Sequence, residues 1–414
     1  MSVSRISACA SYLAALSCWG LWWCAAAGCG GSDVGPGGAA GTLTGGAGTG
    51  PAGAGTGTGG APLAGIGAGG AAGTGAGGMG GLGAGGSLPP TAGTPAPGAT
   101  PMEQLCNTVA TFPPPMYDPA SAVTWWQQFV RKYTRRVNGS QKNLMAGRFL
   151  RDELVAAGYE TTIHELQGRS GTVRAVEGIK RGLTQPDNYL GIISHYDVVP
   201  DTVQGAYDDG AGVAAAMQIC KNLAPVPTNK SISCLFFDAE EIGRQGSQAY
   251  VDKFVATNIK KFDHGFGYDM VGLNKPGHAN WKLYAFFGFN MGMASALTQY
   301  RGANMKFVEA ILYDCQKPGG LMTNRTITET RMTNTRNSDE EIFEQAGVPV
   351  FRFAGGERAS DYNGYHQPND TVNNVIMEAG GRMRFQRGFA HAISLSHFII
   401  LGYDQWHATM VPQL

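Results

Sequence analysis

Apolar runs that end in acidic or imidazole side chains constrain this chain more than any other feature. Tyr189-Leu-Gly-Ile-Ile-Ser194 leads into His195-Tyr-Asp197, and Ile232-Ser-Cys-Leu-Phe-Phe237 into Asp238-Ala-Glu240-Glu241. A further short strand is expected to end near Tyr268, just before Asp269. Runs of this length and composition read as buried strands. Between the first two, Gly210 to Leu223 has the small-residue, Ala-rich character of a helix, and Trp125 to Tyr133 and Leu144 to Ala157 are helical too, the second stopping at Gly158. Later, Asp339 to Gln345 reads as a helix feeding a strand from Val348 to Phe353, and Glu378 to Leu401 as one long closing helix. The alternation predicts an α/β fold: a single globular domain with a central mixed, mainly parallel sheet flanked by helices. Sheets of this kind place ligands beyond the carboxyl ends of their strands, where the acidic residues fall.

Taken one at a time, these residues are unremarkable. Asp208-Asp209-Gly210 alone is a turn and helix N-cap, and Glu240-Glu241 alone is a solvated pair at a strand end. Together they place carboxylates after successive strands, where unpaired charges repel one another. A divalent metal cluster resolves that repulsion, and imidazole and carboxylate ligands without thiolate suit zinc, with manganese or cobalt able to occupy the same cage.

The residues, in order along the chain, resemble the co-catalytic di-zinc aminopeptidases (peptidase family M twenty-eight), including secreted bacterial leucine aminopeptidases. The matching blocks are Gly191-Ile-Ile-Ser-His195-Tyr-Asp197, Gly205-Ala-Tyr-Asp208-Asp209-Gly-Ala-Gly212, Phe237-Asp-Ala-Glu240-Glu241-Ile-Gly243, Tyr268-Asp269-Met-Val-Gly272, and a closing set of Ser338-Asp339, Ala346-Gly-Val-Pro349 and Tyr365-His366-Gln-Pro-Asn-Asp-Thr371. The resemblance implies a zinc-exopeptidase fold of the phosphorylase/hydrolase-like kind and two zinc ions per chain. Asp208 would bridge them, with His195 and Asp269 completing one site and Glu241 and His366 the other. Glu240 matches the general base. Asp197, two residues beyond His195 and so on the same side of an extended chain, is expected to orient the imidazole. Asp209 is not expected to ligate, and the bond joining it to Asp208 is commonly cis in the family. Tyr365 matches a position where some relatives stabilise an oxyanion with a tyrosine hydroxyl, although a packing aromatic is an equal reading. One departure stands out: Ser338-Asp339-Glu340 replaces the usual Ser-Asp-His.

The expected activity is hydrolysis of the N-terminal peptide bond of peptides or proteins. Two enzymes on the same fold compete with it, a metallo-carboxypeptidase, for which Arg336 or Arg352 would have to clamp the substrate carboxylate, and a single-zinc glutaminyl cyclase. A third reading, a non-catalytic surface binding module, conflicts with the full set of five ligands plus Glu240. Side-chain preference would be set by loops between Asn274 and Arg336, where Phe286, Phe287, Met291 and Met293 are candidates for an apolar pocket.

The first hundred residues differ in kind. Of the chain's 62 glycines, 31 fall between Gly28 and Gly98, where Asp33 is the one charged residue. With almost no large apolar side chain to bury, this stretch cannot offset the entropy of ordering. It reads as a flexible tether spanning roughly 45 Å in root-mean-square terms. Residues 1–28 read as an export signal, because Ile6 to Gly28 is uncharged and follows Arg5, and Ala26-Ala27-Gly28-Cys29 resembles a lipoprotein signal with lipid on Cys29, apart from Ala26. The expected division is thus 1–28 signal, 29–101 linker and 102–414 peptidase domain, with the protein exported to the cell envelope or secreted. The lipid would be the one membrane contact, and a monomer is expected. Thirty-one basic against 31 acidic residues argue against nucleic acid as a partner. Cys220 and Cys234 sit on a probable helix and strand, where a small buried apolar role is the commoner one; their pairing is left open.

Overall fold

The computed structural model describes residues 100–116, 118–273, 275–276, 284–286, 330–331, 338–354 and 362–405. The expected signal, Cys29 lipid site and linker lie outside these residues, as do Arg336, Phe287, Met291 and Met293 and nearly all of the expected pocket loops.

Among the described residues, eight strands form one sheet: β1 (Glu160–Gly168), β2 (Gly171–Lys180), β3 (Gln185–His195), β4 (Lys230–Phe237), β5 (Lys261–Tyr268), β6 (Tyr284–Phe286), β7 (Thr330–Arg331) and β8 (Val350–Ala354). Their spatial order is β1-β2-β4-β3-β5-β8-β6-β7. β4, β3, β5 and β8 run parallel, while the β1–β2 hairpin joins β4 antiparallel and β6 joins β8 antiparallel. The sheet is mixed with a parallel centre, as expected from the buried runs. The hairpin was not anticipated: Glu160 to Lys180 interleaves Thr, Glu, His, Gln and Arg with its apolar residues, which blurs the two-residue period.

The helices of the described residues are α1 (Pro101–Val109), α2 (Pro119–Lys132), α3 (Gln141–Ala156), α4 (Gly210–Leu223), α5 (Gln245–Tyr250, continued by a π-helical turn Val251–Val255), α6 (Glu340–Gln345), α7 (Val372–Glu378) and α8 (Arg382–Gln405). Local chemistry sets their ends. Asp118 accepts the amides of Ala120 and Ser121 ahead of Pro119 at the first helical position, Ser140 caps α3, and Gly158, with φ +92°, lies just beyond the C-terminal end of α3. Residues 378–401, expected as one helix, belong to two. Gly380 and Gly381, with φ +75° and +119°, separate them, since a run of left-handed glycines cannot continue an α-helix.

Successive β4 residues face opposite sides of the sheet. Ile232, Cys234 and Phe236 join a large core with Trp126, Phe129, Leu150 and the Ala-rich α4, whereas Leu235 and Phe237 join a smaller one with Tyr250 and Phe343. Helix α4 is almost wholly buried, packing against β3, α2 and α8, which explains its run of Ala and Gly. Cys220 of α4 and Cys234 of β4 are buried and joined by a disulfide, which resolves the open pairing and exceeds the role of apolar filler.

Candidate metal centre

The parallel strands deliver the site residues to one edge. His195 is the last residue of β3, Asp269 follows β5 directly, and Glu240-Glu241 come just after β4. Asp208 and Asp209 lead into α4, joined by a cis peptide bond. His366 lies on the loop between β8 and α7. Three non-glycine residues in the left-handed region cluster here: Ala239 before Glu240 (φ +63°), Met270 after Asp269 (φ +55°) and His366 itself (φ +55°). Each such conformation costs about 1–3 kcal/mol and persists where the surroundings enforce it, typically at functional sites.

Asp208 lies between two imidazoles. Its Oδ1 is 3.5 Å from His195 Nε2 and its Oδ2 is 3.2 Å from His366 Nε2, which also stands 3.1 Å from Glu241 Oε2. Single ligand atoms of His195, Asp208 and Glu241 fall within 4.8 Å of one another, and so do those of His195, Asp209 and Asp269. The second grouping contains Asp209 rather than Asp208. Asp209, however, is already committed: Oδ2 accepts the Ser194 hydroxyl at 2.6 Å, and Oδ1 accepts the amides of Gly212 and Met270, both at 3.0 Å. It caps α4 and ties the ends of β3 and β5 together. A Cβ on Gly212 would stand 2.2 Å from Asp209 Oδ1, so this cap requires glycine. Asp269 is the opposite case, because its Oδ1 is buried without a hydrogen-bond partner among the described residues.

Asp197 holds more than the imidazole. Its Oδ1 is 3.4 Å from His195 Nδ1, a long contact, while Oδ1 accepts the Glu240 amide at 3.1 Å and Oδ2 the Glu241 amide at 3.2 Å. It therefore fixes the turn that carries both glutamates. On the other side, Asp370 accepts the amides of Tyr207 (2.9 Å) and Asp208 (3.1 Å) and the Tyr362 hydroxyl (2.7 Å). Fully buried Arg136 donates to the carbonyls of Gln204 and Gly205, bracing the loop before Asp208. Neither supporting role was legible in the sequence, although Asp370 lies within the block carrying His366. Tyr365 stacks on His366, with ring centroids 3.8 Å apart.

The cluster demands positive charge. Burial pushes Glu240 well above the usual glutamate range, and the charges of Asp339, Asp269 and Glu241 push the same way. Burial and then Asp208 lift Glu241 to about 7. His366 is raised to about 10, first by its hydrogen bond to Asp208 and then by that to Glu241. Burial works against a charged His195, yet Glu240, Asp197 and Asp208 outweigh it and raise that imidazole well above its ordinary value. Arg352 is not placed as a carboxylate clamp. It is buried, with Nη2 2.6 Å from Asp269 Oδ2 and Nη1 3.7 Å from Glu340 Oε1.

The model of peptidase family M28 matches residues 177–389, just over half of the 414-residue chain, and spans every candidate ligand. The chain belongs to peptidase family M28. Aminopeptidase YwaD of Bacillus subtilis (strain 168) is 27% identical over 217 residues, covering 50% of this chain and 41% of that protein. A probable leucine aminopeptidase 2 of Aspergillus oryzae is 28% identical over 210 residues, covering 47% and 39%. The match thus spans about two fifths of the length of these family relatives. Among solved structures, a leucine aminopeptidase precursor from Bacteroides thetaiotaomicron covers 70% of this chain and 98% of its own, with a TM-score of 0.52 at 16% identity. A glutaminyl cyclase of the same organism, bound to N-acetylhistamine, covers 70% and 99%, with a TM-score of 0.52 at 16% identity. Both share the M28 fold with this protein.

Proposed function

We propose that this M28 protein is a zinc-dependent aminopeptidase that removes the N-terminal residue of peptides with Glu240 as general base. One observation carries the reading: Asp208 turns one oxygen to His195 and the other to His366, the arrangement a carboxylate bridging two metal ions requires. The orphaned Asp269 Oδ1 and the imidazole–carboxylate donor set fit zinc. His195, Asp208 and Asp269 would hold one ion and Asp208, Glu241 and His366 the other. Bound zinc would supply a water acidified toward neutral pH and a positive charge facing the substrate carbonyl oxygen.

The chain's own groups do the rest. Glu240, whose basicity burial raises, takes the proton of the attacking water and passes it to the departing amine. Asp197 fixes His195 and the Glu240-Glu241 backbone together, so base and ligands keep one geometry. The Tyr365 hydroxyl donates to the oxyanion as the carbonyl becomes tetrahedral. Aminopeptidase names among the relatives support the substrate class. The buried Cys220–Cys234 bond supports export, because such bonds persist in oxidising compartments.

The test couples metal analysis of the purified protein to cleavage of matched peptides with free and acetylated N-termini. About two zinc per chain and cleavage of the free set alone are expected. Zinc binding with every free N-terminus left intact would overturn the proposal.

A further inference from the structure

We infer, building on the zinc reading above, that Arg352 is a positioning residue: it holds Asp269 to single-oxygen ligation and lowers the metal affinity of the position served by His195 and Asp269, with Glu340 moderating it. Arg352 lies on β8, paired with Gly267 of β5 and so two residues short of Asp269. From there its Nη2 reaches Asp269 Oδ2 at 2.6 Å, while Asp269 Oδ1 is buried and has no hydrogen-bond partner among the described residues. One oxygen of the carboxylate is thereby occupied and the other is left for a ligand. Glu340, at the start of α6, stands 3.7 Å from the other side of the guanidinium, and both residues are buried. Room for them comes from Gly267, where a Cβ would stand 2.8 Å from Glu340 Oε2.

A guanidinium keeps its charge at every working pH, so Arg352 is a fixed cation sharing one carboxylate with a divalent ion. It pairs the Asp269 charge before metal arrives and opposes metal afterwards. Glu340 draws part of that charge away. At the other position, among the described residues, Asp208 and Glu241 pair with imidazoles alone.

Zinc titration of the metal-stripped full chain by calorimetry tests the inference. Arg352→Gln is expected to tighten the affected site, and Glu340→Gln to weaken it, each on the order of tenfold, as expected for one charge acting on a divalent ion across a carboxylate under strong solvent screening. Arg352→Lys, which keeps the charge, should leave the affinity near wild type, and circular dichroism checks that each variant is folded. Opposite signs for the two Gln variants support tuning. Weakening in both would reduce Arg352 to structural support, and no change in either would also overturn the inference while leaving the zinc reading intact. A wild-type chain that binds no zinc would end both.

Discussion

Two buried carboxylate regions of this protein solve the same electrostatic problem in different ways. Glu177, on β2 within the sheet, is surrounded by donors: Oε1 accepts the hydroxyls of Ser233 (2.7 Å) and Tyr250 (2.8 Å), and Oε2 contacts His164 Nε2 (2.9 Å) and Lys260. Burial works against its charge, but His164, Lys260 and Ser233 more than compensate and bring it down to about 2. At the C-terminal edge of the same sheet, Asp208, Glu240, Glu241 and Asp269 share two imidazoles and Arg352. Burial there lifts Glu240 and Glu241. Among the described residues, the first region has a donor for each carboxylate oxygen, whereas the second holds more carboxylates than cationic partners, which is where the proposed metal would sit. A buried carboxylate is therefore informative about function when its donors are too few.

The comparison is tested most severely by chelation. Stripping metal should abolish peptidase activity and lower the melting temperature, with both restored by added zinc; calorimetric scans and assays before and after reconstitution measure this. A Glu177 variant should show no such rescue. Next in size, Glu240→Gln should lower kcat by about 10²–10⁴-fold while zinc content stays at the wild-type level, read by single-turnover assay and elemental analysis.

Changes to the completed region should act on stability. Glu177 has a folded-state pKa of about 2 against an ordinary 4.5, so the unfolded chain takes up the proton first as pH falls. Its contribution is whole above about pH 4.5 and is lost as pH drops toward 2. Urea unfolding across that range should show the wild type losing about 3 kcal/mol more than Glu177→Gln. The smallest effect is expected from Tyr250→Phe, which removes one donor from a set that keeps the others. It should cost about 1.5 kcal/mol near neutral pH and leave kcat unchanged.

The two regions also differ in how far the sequence revealed them. His195, Asp208, Glu240, Glu241 and Asp269 each follow a buried run or precede a helix, so a parallel sheet gathers them at one edge whatever its exact register. Strand direction alone sufficed. Glu177 needs more: its partners come from β1, β4, the α5 segment and Lys260 just before β5, and only the unread β1–β2 hairpin brings His164 and Glu177 to one place. The braces of the site escaped for a related reason. Asp370 meets the Asp208 amide across 162 residues, and Arg136 meets Gly205 across 69, separations that no local pattern records. The break at Gly380-Gly381 was different, since a double glycine is a readable stop and the apolar spacing on either side obscured it.

Asp370 also imposes an order in time. The peptide group entering Asp208 is held by a side chain that emerges from the ribosome more than 160 residues later, and His366 arrives only just before it. A chain still in synthesis, or one interrupted ahead of that loop, has the sheet's central strands β3, β4 and β5 but neither the second imidazole nor the brace. Completion of the cluster therefore waits for His366 and Asp370, both of which follow β3, β4 and β5 along the chain.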